Sequence, residues 1–136
     1  MNELLQNWIA ILTGDATLTA IVPATSIMVG AVDITMETQA SLLYPQINLH
    51  TVSEVQRTVP LHTRDTHIQV DIWSRNSMLE VLTIYERVVT LLSYQVGNQG
   101  TAHFFWQRLG GAVDLDETDR RTFHRAMTFV AWSIKP

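Results

Sequence analysis

Between Thr66 and Leu92 the spacing of apolar residues changes once, and the change divides the stretch into a strand and a helix. Ile68, Val70 and Ile72 alternate with His67, Gln69 and Asp71, the period of two that a single buried strand face imposes. From Met78 onward the apolar positions Met78, Val81, Leu82, Tyr85, Val88, Val89 and Leu92 recur every three or four residues. They form a helical stripe opposite Glu80, Thr83, Glu86, Arg87 and Thr90. Ser77 and Glu80 stand at the spacing of a capping box, in which the hydroxyl takes an orphan N–H of the first turn and the carboxylate reaches back to the cap's own N–H.

The same reading extends along the chain. Leu4, Leu5, Trp8, Ile9 and Leu12 share one helical face, Gly14 is a stop, and Asp15 caps a short second turn through Leu18, Ile21 and Val22 that Pro23 ends. Ile27 to Val32 is a short β-prone run, and the polar stretch from Asp33 to Ser41 reads as loop or as a frayed piece of helix around Met36. Pro45 to Val52 alternates with Ile47 and Leu49 inward. After the central helix, Val96 to Gly100 reads as a turn. Ala102 to Leu109 reads as a strand that a right-handed crossover brings parallel to the strand ending at Ser74. Gly110, Gly111 and the acidic run from Asp114 to Asp119 make the next connection. Arg121 to Ile134 is the last strand, apolar on both faces over its second half, hence central with both sides covered or half of a subunit contact. The predicted fold class is α+β: a mixed, largely antiparallel sheet of four to five strands, flanked by an N-terminal helix and one long central helix, in one domain spanning 1–136.

The connection at about 53–65 is long for a hairpin. In it Val55, Arg57, Val59 and Leu61 alternate with Glu54, Gln56 and Thr58, the pattern of an extended arm projecting from the sheet, and Pro60 suits an unpaired edge. Such an arm has no core of its own for Val55, Val59 and Leu61, so a neighbouring chain is a natural place for them. A surface loop with scattered apolar residues fits the same pattern.

Composition narrows the classes. A chain of 136 residues is long enough to remove roughly two thirds of its unfolded surface from water. The absence of cysteine excludes disulfides and thiolate metal sites. Glu3 stands where an export signal wants basic residues, and no run approaches the length of a membrane helix, so a chain made in the cytoplasm with no membrane contact is expected. A net charge of -4 argues against a duplex-binding face. Four Trp beside a charged fraction of only 16% exceed what one small core needs and suit burial against partners, although Trp residues also fill cores.

No chemistry stands out. His67 and Asp71 share a strand face and His62 lies nearby, but a metal site needs three or more converging ligands with support behind them. His103 and His124 could meet across the last two strands as a polar pair. There is no nucleophile elbow, and capping accounts for Ser77 while Ser74 can bond the turn backbone. The acidic run lacks calcium-loop spacing, and Gly110-Gly111 lacks a following helix and Lys. Arg120, Arg121 and Arg125 beside it read as local charge balance or as half of a contact between chains. No catalytic residue, metal or cofactor is therefore expected.

The order of elements then resembles a family. The N-terminal helix followed by Gly14-Asp15-Ala16-Thr17-Leu18-Thr19-Ala20-Ile21-Val22, Tyr44-Pro45 opening a strand, and His67-Ile68-Gln69-Val70-Asp71-Ile72-Trp73-Ser74-Arg75 running into a helix are similar to the tail-completion, or tail-terminator, proteins of long-tailed bacteriophages. The resemblance implies a non-enzymatic virion protein of the tail or neck. It would be assembled in the host cytoplasm into a homo-oligomeric ring, usually a hexamer. The ring would stop tube polymerisation at the head-proximal end, with the tail-tube protein and a head connector or head-completion protein as partners. DNA would pass through without specific binding, which suits an acidic chain. The surfaces expected to meet partners are the arm, through Val55, Arg57, Val59 and Leu61, and the outward strand face, through His67, Gln69, Asp71 and Trp73. The alternative is a dimeric α+β module with a small-molecule pocket between helix and sheet.

Overall fold

A computed structural model describes residues 2–30, 45–57, 63–93, 95–99, 102–117 and 122–134. The readings made for 31–44, for Val59, Leu61 and His62, and for Arg120 and Arg121 lie outside the described residues.

Helix α1 (Asn2–Thr13) buries Leu4, Trp8 and Leu12, one residue per turn along a single face. It stops at Gly14, whose N–H reaches Ala10 O at 3.0 Å and where a Cβ would stand 2.9 Å from that oxygen. Helix α2 (Ala16–Thr19) is capped as expected: Asp15 Oδ2 accepts from Leu18 N at 2.8 Å. A 3-10 turn over Ala24–Ser26 leads into strand β1 (Ile27–Val29). The remaining elements are β2 (Gln46–Arg57), β3 (Thr63–Ser74), α3 (Met78–Leu92), β4 (Gln95–Gln99), β5 (Ala102–Glu117) and β6 (Thr122–Ile134).

The six strands form one sheet in the order β1-β2-β3-β6-β5-β4. β1 is parallel to β2 and every other neighbouring pair is antiparallel, so the α+β class with a mixed, largely antiparallel sheet holds. Four long strands make up its centre, and the short β1 and β4 border them. One face carries the helices. There Ile47 and Leu49, Ile68, Val70 and Ile72, and Met127, Phe129 and Ala131 meet Leu4, Trp8 and Leu12 of α1 and Val81, Ile84, Val88 and Leu92 of α3 in one buried cluster. Trp8 meets Phe129 edge-on, with ring centroids 5.3 Å apart, the orientation the ring quadrupoles favour.

Four sequence readings change. The helical stripe is centred on Ile84, which is buried, while Leu82 is only half-buried. The turn expected at Val96 to Gly100 includes strand β4, because its backbone pairs with β5 from Gln95↔Trp106 to Gln99↔Ala102. The strand expected to end at Leu109 crosses a bulge between Leu109 and Ala112 and continues through the acidic run to Glu117. Pairing with β6 carries it on: Asp114 lies opposite Arg125 and is held by it at 2.7 Å, so one charge of the acidic run is neutralised within the ladder. Finally, β5 does run in the same direction as β3, but the crossover helix delivers the chain first to β4, and β6 inserts between β3 and β5.

The junction from strand to helix keeps half of the capping box. Ser77 Oγ accepts from Glu80 N at 3.1 Å. The Glu80 carboxylate turns instead to Ser74 Oγ at 2.8 Å and Asn76 Nδ2 at 3.0 Å, while Ser74 Oγ accepts from Asn76 N. The acid thus closes the turn itself.

Candidate functional site

Among the residues expected from sequence to meet partners, Val55, His67, Gln69, Asp71 and Trp73 lie on the face of the sheet opposite the described helices. Alternation sends Ile68, Val70 and Ile72 to the core, so His67, Gln69, Asp71 and Trp73 must point the other way. The register places them beside side chains distant in sequence: Asn48 and Ala126 flank Asp71, Gln46 and His124 flank Trp73, and Ser53 and Val130 flank His67.

Two of the four, Asp71 and Trp73, join β3 to β6 through His124. Asp71 is 6% exposed; its Oδ1 meets His124 Nε2 at 2.7 Å, Gln69 Nε2 donates to both its oxygens at 3.0 and 3.2 Å, and His50 Nδ1 lies 3.5 Å from Oδ2. Trp73 stacks on His124 with ring centroids 3.7 Å apart and planes 11° from parallel. A carboxylate this enclosed requires such partners, because an unpaired charge there would lose its hydration without return. Asp71 and Trp73 therefore brace β3 against β6. Gln69 and His67 remain half-exposed, and His67 Nδ1 lies 3.2 Å from Ser53 Oγ.

The partner separation also splits the metal pair considered from sequence. His67 faces Ser53 and Asp71 faces His124, four residues along β3, and among the described residues no group of three His, Cys, Asp or Glu is arranged so that it could hold a metal ion. The register sets His103 opposite Ile134 and His124 opposite Leu115, so those two histidines lie at opposite ends of the β5-β6 ladder. His124 pairs instead with a strand whose sequence lies 53 positions earlier. Sequence reading missed this pair and the contributions of Gln46, Asn48 and His50. The alternation of Gln46, Asn48 and His50 with Ile47 and Leu49 already set them on one face, but nothing local said which strand would lie beside it.

Around this polar centre the face is apolar at its margins. On the arm Val55 is 55% exposed; its register partner Asp65 lies opposite Trp132, which is 42% exposed. On β5 Val113 and Leu115 are exposed as well. Arg57 ends β2 opposite Thr63, so the described part of the arm, through Arg57, is sheet. Among the described residues no helix is long and apolar enough to cross a membrane.

Comparison with known proteins places the chain in a family. The sequence profile of tail completion protein gp17 matches residues 7–133. A chain from the virion of a native gene transfer agent particle has the same fold, with a TM-score of 0.77 at 11% identity over 98% of this chain and 96% of that one. No curated protein matches the chain by sequence. With the profile spanning nearly every element from the first helix to the last strand, the chain belongs to the tail completion protein gp17 family, a family of structural phage tail proteins.

Proposed function

We propose that the chain assembles into a ring at the head-proximal end of a phage tail tube, ends tube polymerisation there, and joins the tail to the head connector. The observation that carries this reading is the family match across residues 7–133. The sheet face opposite the helices, helix-free among the described residues, supports it. Val55, Val113, Leu115 and Trp132 leave apolar surface in water, which association removes.

In this reading the part played is mechanical. The helices and core hold the subunit, while the contacts come from the arm, through Val55, Arg57, Val59 and Leu61, and from His67 and Gln69 on the helix-free face. Asp71 and Trp73 hold that face in shape. The partners are further copies of the chain, the tail-tube protein and a head-completion protein. The net charge of -4 lets DNA pass a ring of such chains without adhering to it.

Light scattering and native mass spectrometry of the purified protein, alone and with tail-tube protein, test the proposal. A discrete ring in either condition is expected. A strict monomer in both would remove it.

A further inference from the structure

Among the described residues, the long strands β2 and β5 each leave a stretch of outer edge unpaired, at diagonally opposite corners of the sheet. β1 lies against β2 over Ile47, Asn48 and Leu49, and among the described residues no strand pairs with the outer edge of β2 from Thr51 to Arg57. On the far side β4 pairs with β5 from Ala102 to Trp106, and no described strand pairs with the outer edge of β5 from Gln107 to Glu117. An unpaired edge presents a row of N–H and C=O groups that recruits another strand unless charge, proline or a covering element prevents it. Here both edges carry exposed apolar side chains: Val52 and Val55 on β2, Val113 and Leu115 on β5. Bulges at Val52 and at Gly110-Gly111 delimit the regular parts, 53–57 and 112–117, which are of nearly equal length.

We propose that these edges are the two halves of one interface: the open edge of β2 in one copy pairs antiparallel with the open edge of β5 in the next, so that neighbouring sheets run into one another. The inference rests on the ring reading above and names the contact that builds the ring.

Direction, face, charge and shape all suit it. β2 is antiparallel to β3, β3 to β6 and β6 to β5, so β2 and β5 run in opposite senses and two copies in the same orientation meet antiparallel. Val55, Val113 and Leu115 all lie on the helix-free face, because their register partners Asp65, Ala126 and His124 do. A ladder in phase sets them side by side and buries them. On the opposite face Asp114 is held by Arg125 at 2.7 Å, so this carboxylate is already paired within its own copy.

The short strands β1 and β4 form steps at the covered corners. A shift of about six residues, roughly 20 Å, carries each step past the end of the other copy's open edge. Each copy adds four strands, β2, β3, β6 and β5, to the continuous ladder at about 4.8 Å apiece. A 20 Å stagger over that width tilts the strands by about 45°, the inclination at which sheets close into barrels. Two different patches meeting head to tail is also the contact that generates rings.

The absence of native cysteine makes introduced thiols specific reporters. Antiparallel neighbours lie within disulfide reach. Two double variants, Val55→Cys with Val113→Cys and Val55→Cys with Leu115→Cys, sample two registers on one face. Each is assembled with tail-tube protein, oxidised, and run on a non-reducing gel beside the single variants, with native mass spectrometry of the unsubstituted assembly. The expected result is a ladder of covalent multimers rising to the ring mass from at least one double variant and none from any single variant. An intact ring with no ladder from either double variant overturns the edge pairing and leaves the ring reading standing. Dimers from a single variant mean a two-fold contact and also overturn it. Absence of any ring from the unsubstituted protein overturns both.

Discussion

Arg87 of α3 grips Asp15, the residue that caps α2, with Nε donating to Oδ2 at 2.9 Å and a terminal nitrogen donating to Oδ1 at 2.6 Å. One carboxylate thus serves two ends: Oδ2 also accepts from Leu18 N, so it caps a helix and anchors the central helix to the turn after the first. The two residues are 72 positions apart, and the fork geometry of the guanidinium suits a carboxylate approached by two donors.

The Arg87 hydrogen bond holds the Asp15 carboxyl below its usual range; the Leu18 N–H and the Arg87 charge add to this, and burial opposes it. Between the lowered value and the unfolded value of about 3.9, the unfolded chain binds more protons than the folded one. The contribution is therefore complete above the unfolded value and disappears as the pH falls through the lowered one. Urea midpoints measured from neutral to strongly acid pH should decline on the acid side in the native protein. Asp15→Asn should flatten that decline, starting from a lower neutral value. An identical acid limb in the two proteins would show that the pair contributes nothing.

His124 is expected to matter more to stability than an ordinary strand histidine. Removing it by His124→Ala takes the 2.7 Å partner from an Asp71 that stays buried, and a lost hydrogen bond to a charged group costs about 1.5–3 kcal/mol. Trp73 also loses its stacking partner, so near-ultraviolet circular dichroism should change in step. His124→Gln, which can still donate to Asp71, should recover part of the loss in chemical denaturation.

Phe129 fills the space beneath Trp8 and is fully buried. Phe129→Ala should cost about 3–5 kcal/mol in urea unfolding, from lost transfer energy and the cavity left behind. Leu79 on the outer side of α3 is 72% exposed, and Leu79→Ala should stay within about 0.5 kcal/mol. Equal losses at the two positions would contradict the packing.

Gly30 leaves β1 with φ at 105° while its N–H reaches Leu49 O at 2.9 Å. A Cβ there would meet nothing within 4 Å, so any effect of Gly30→Ala comes from the backbone. Thermal or urea unfolding should register a loss of about 1–3 kcal/mol. No change would mean that the chain relaxes to negative φ at little cost.

Much of the fold was legible because it is written in local periods. The buried residues of α1, the inward positions Ile47, Leu49, Ile68, Val70 and Ile72, the Asp15 cap and the Ser77 cap all depend on neighbours within a few residues, and the structure places each where the pattern did. β4 is not legible locally because Gly97 and Asn98 carry turn chemistry, and only the presence of β5 alongside makes a strand of them. The acidic end of β5 reads as a connection for the same reason: charge resembles a loop until Arg125 stands opposite Asp114.

The candidate site divides along the same line. Alternation by itself determined that His67, Gln69, Asp71 and Trp73 share the face away from the core, since side chains on a strand point to opposite sides in turn. Only the tertiary structure decided what each of them meets. Strand order brings β6 beside β3, so His124 pairs with a buried Asp71 and stacks on Trp73, while Trp73, His67 and Gln69 stay half-exposed. The pairing of β3 with β6 joins segments roughly fifty or more residues apart, and no local period carries that information.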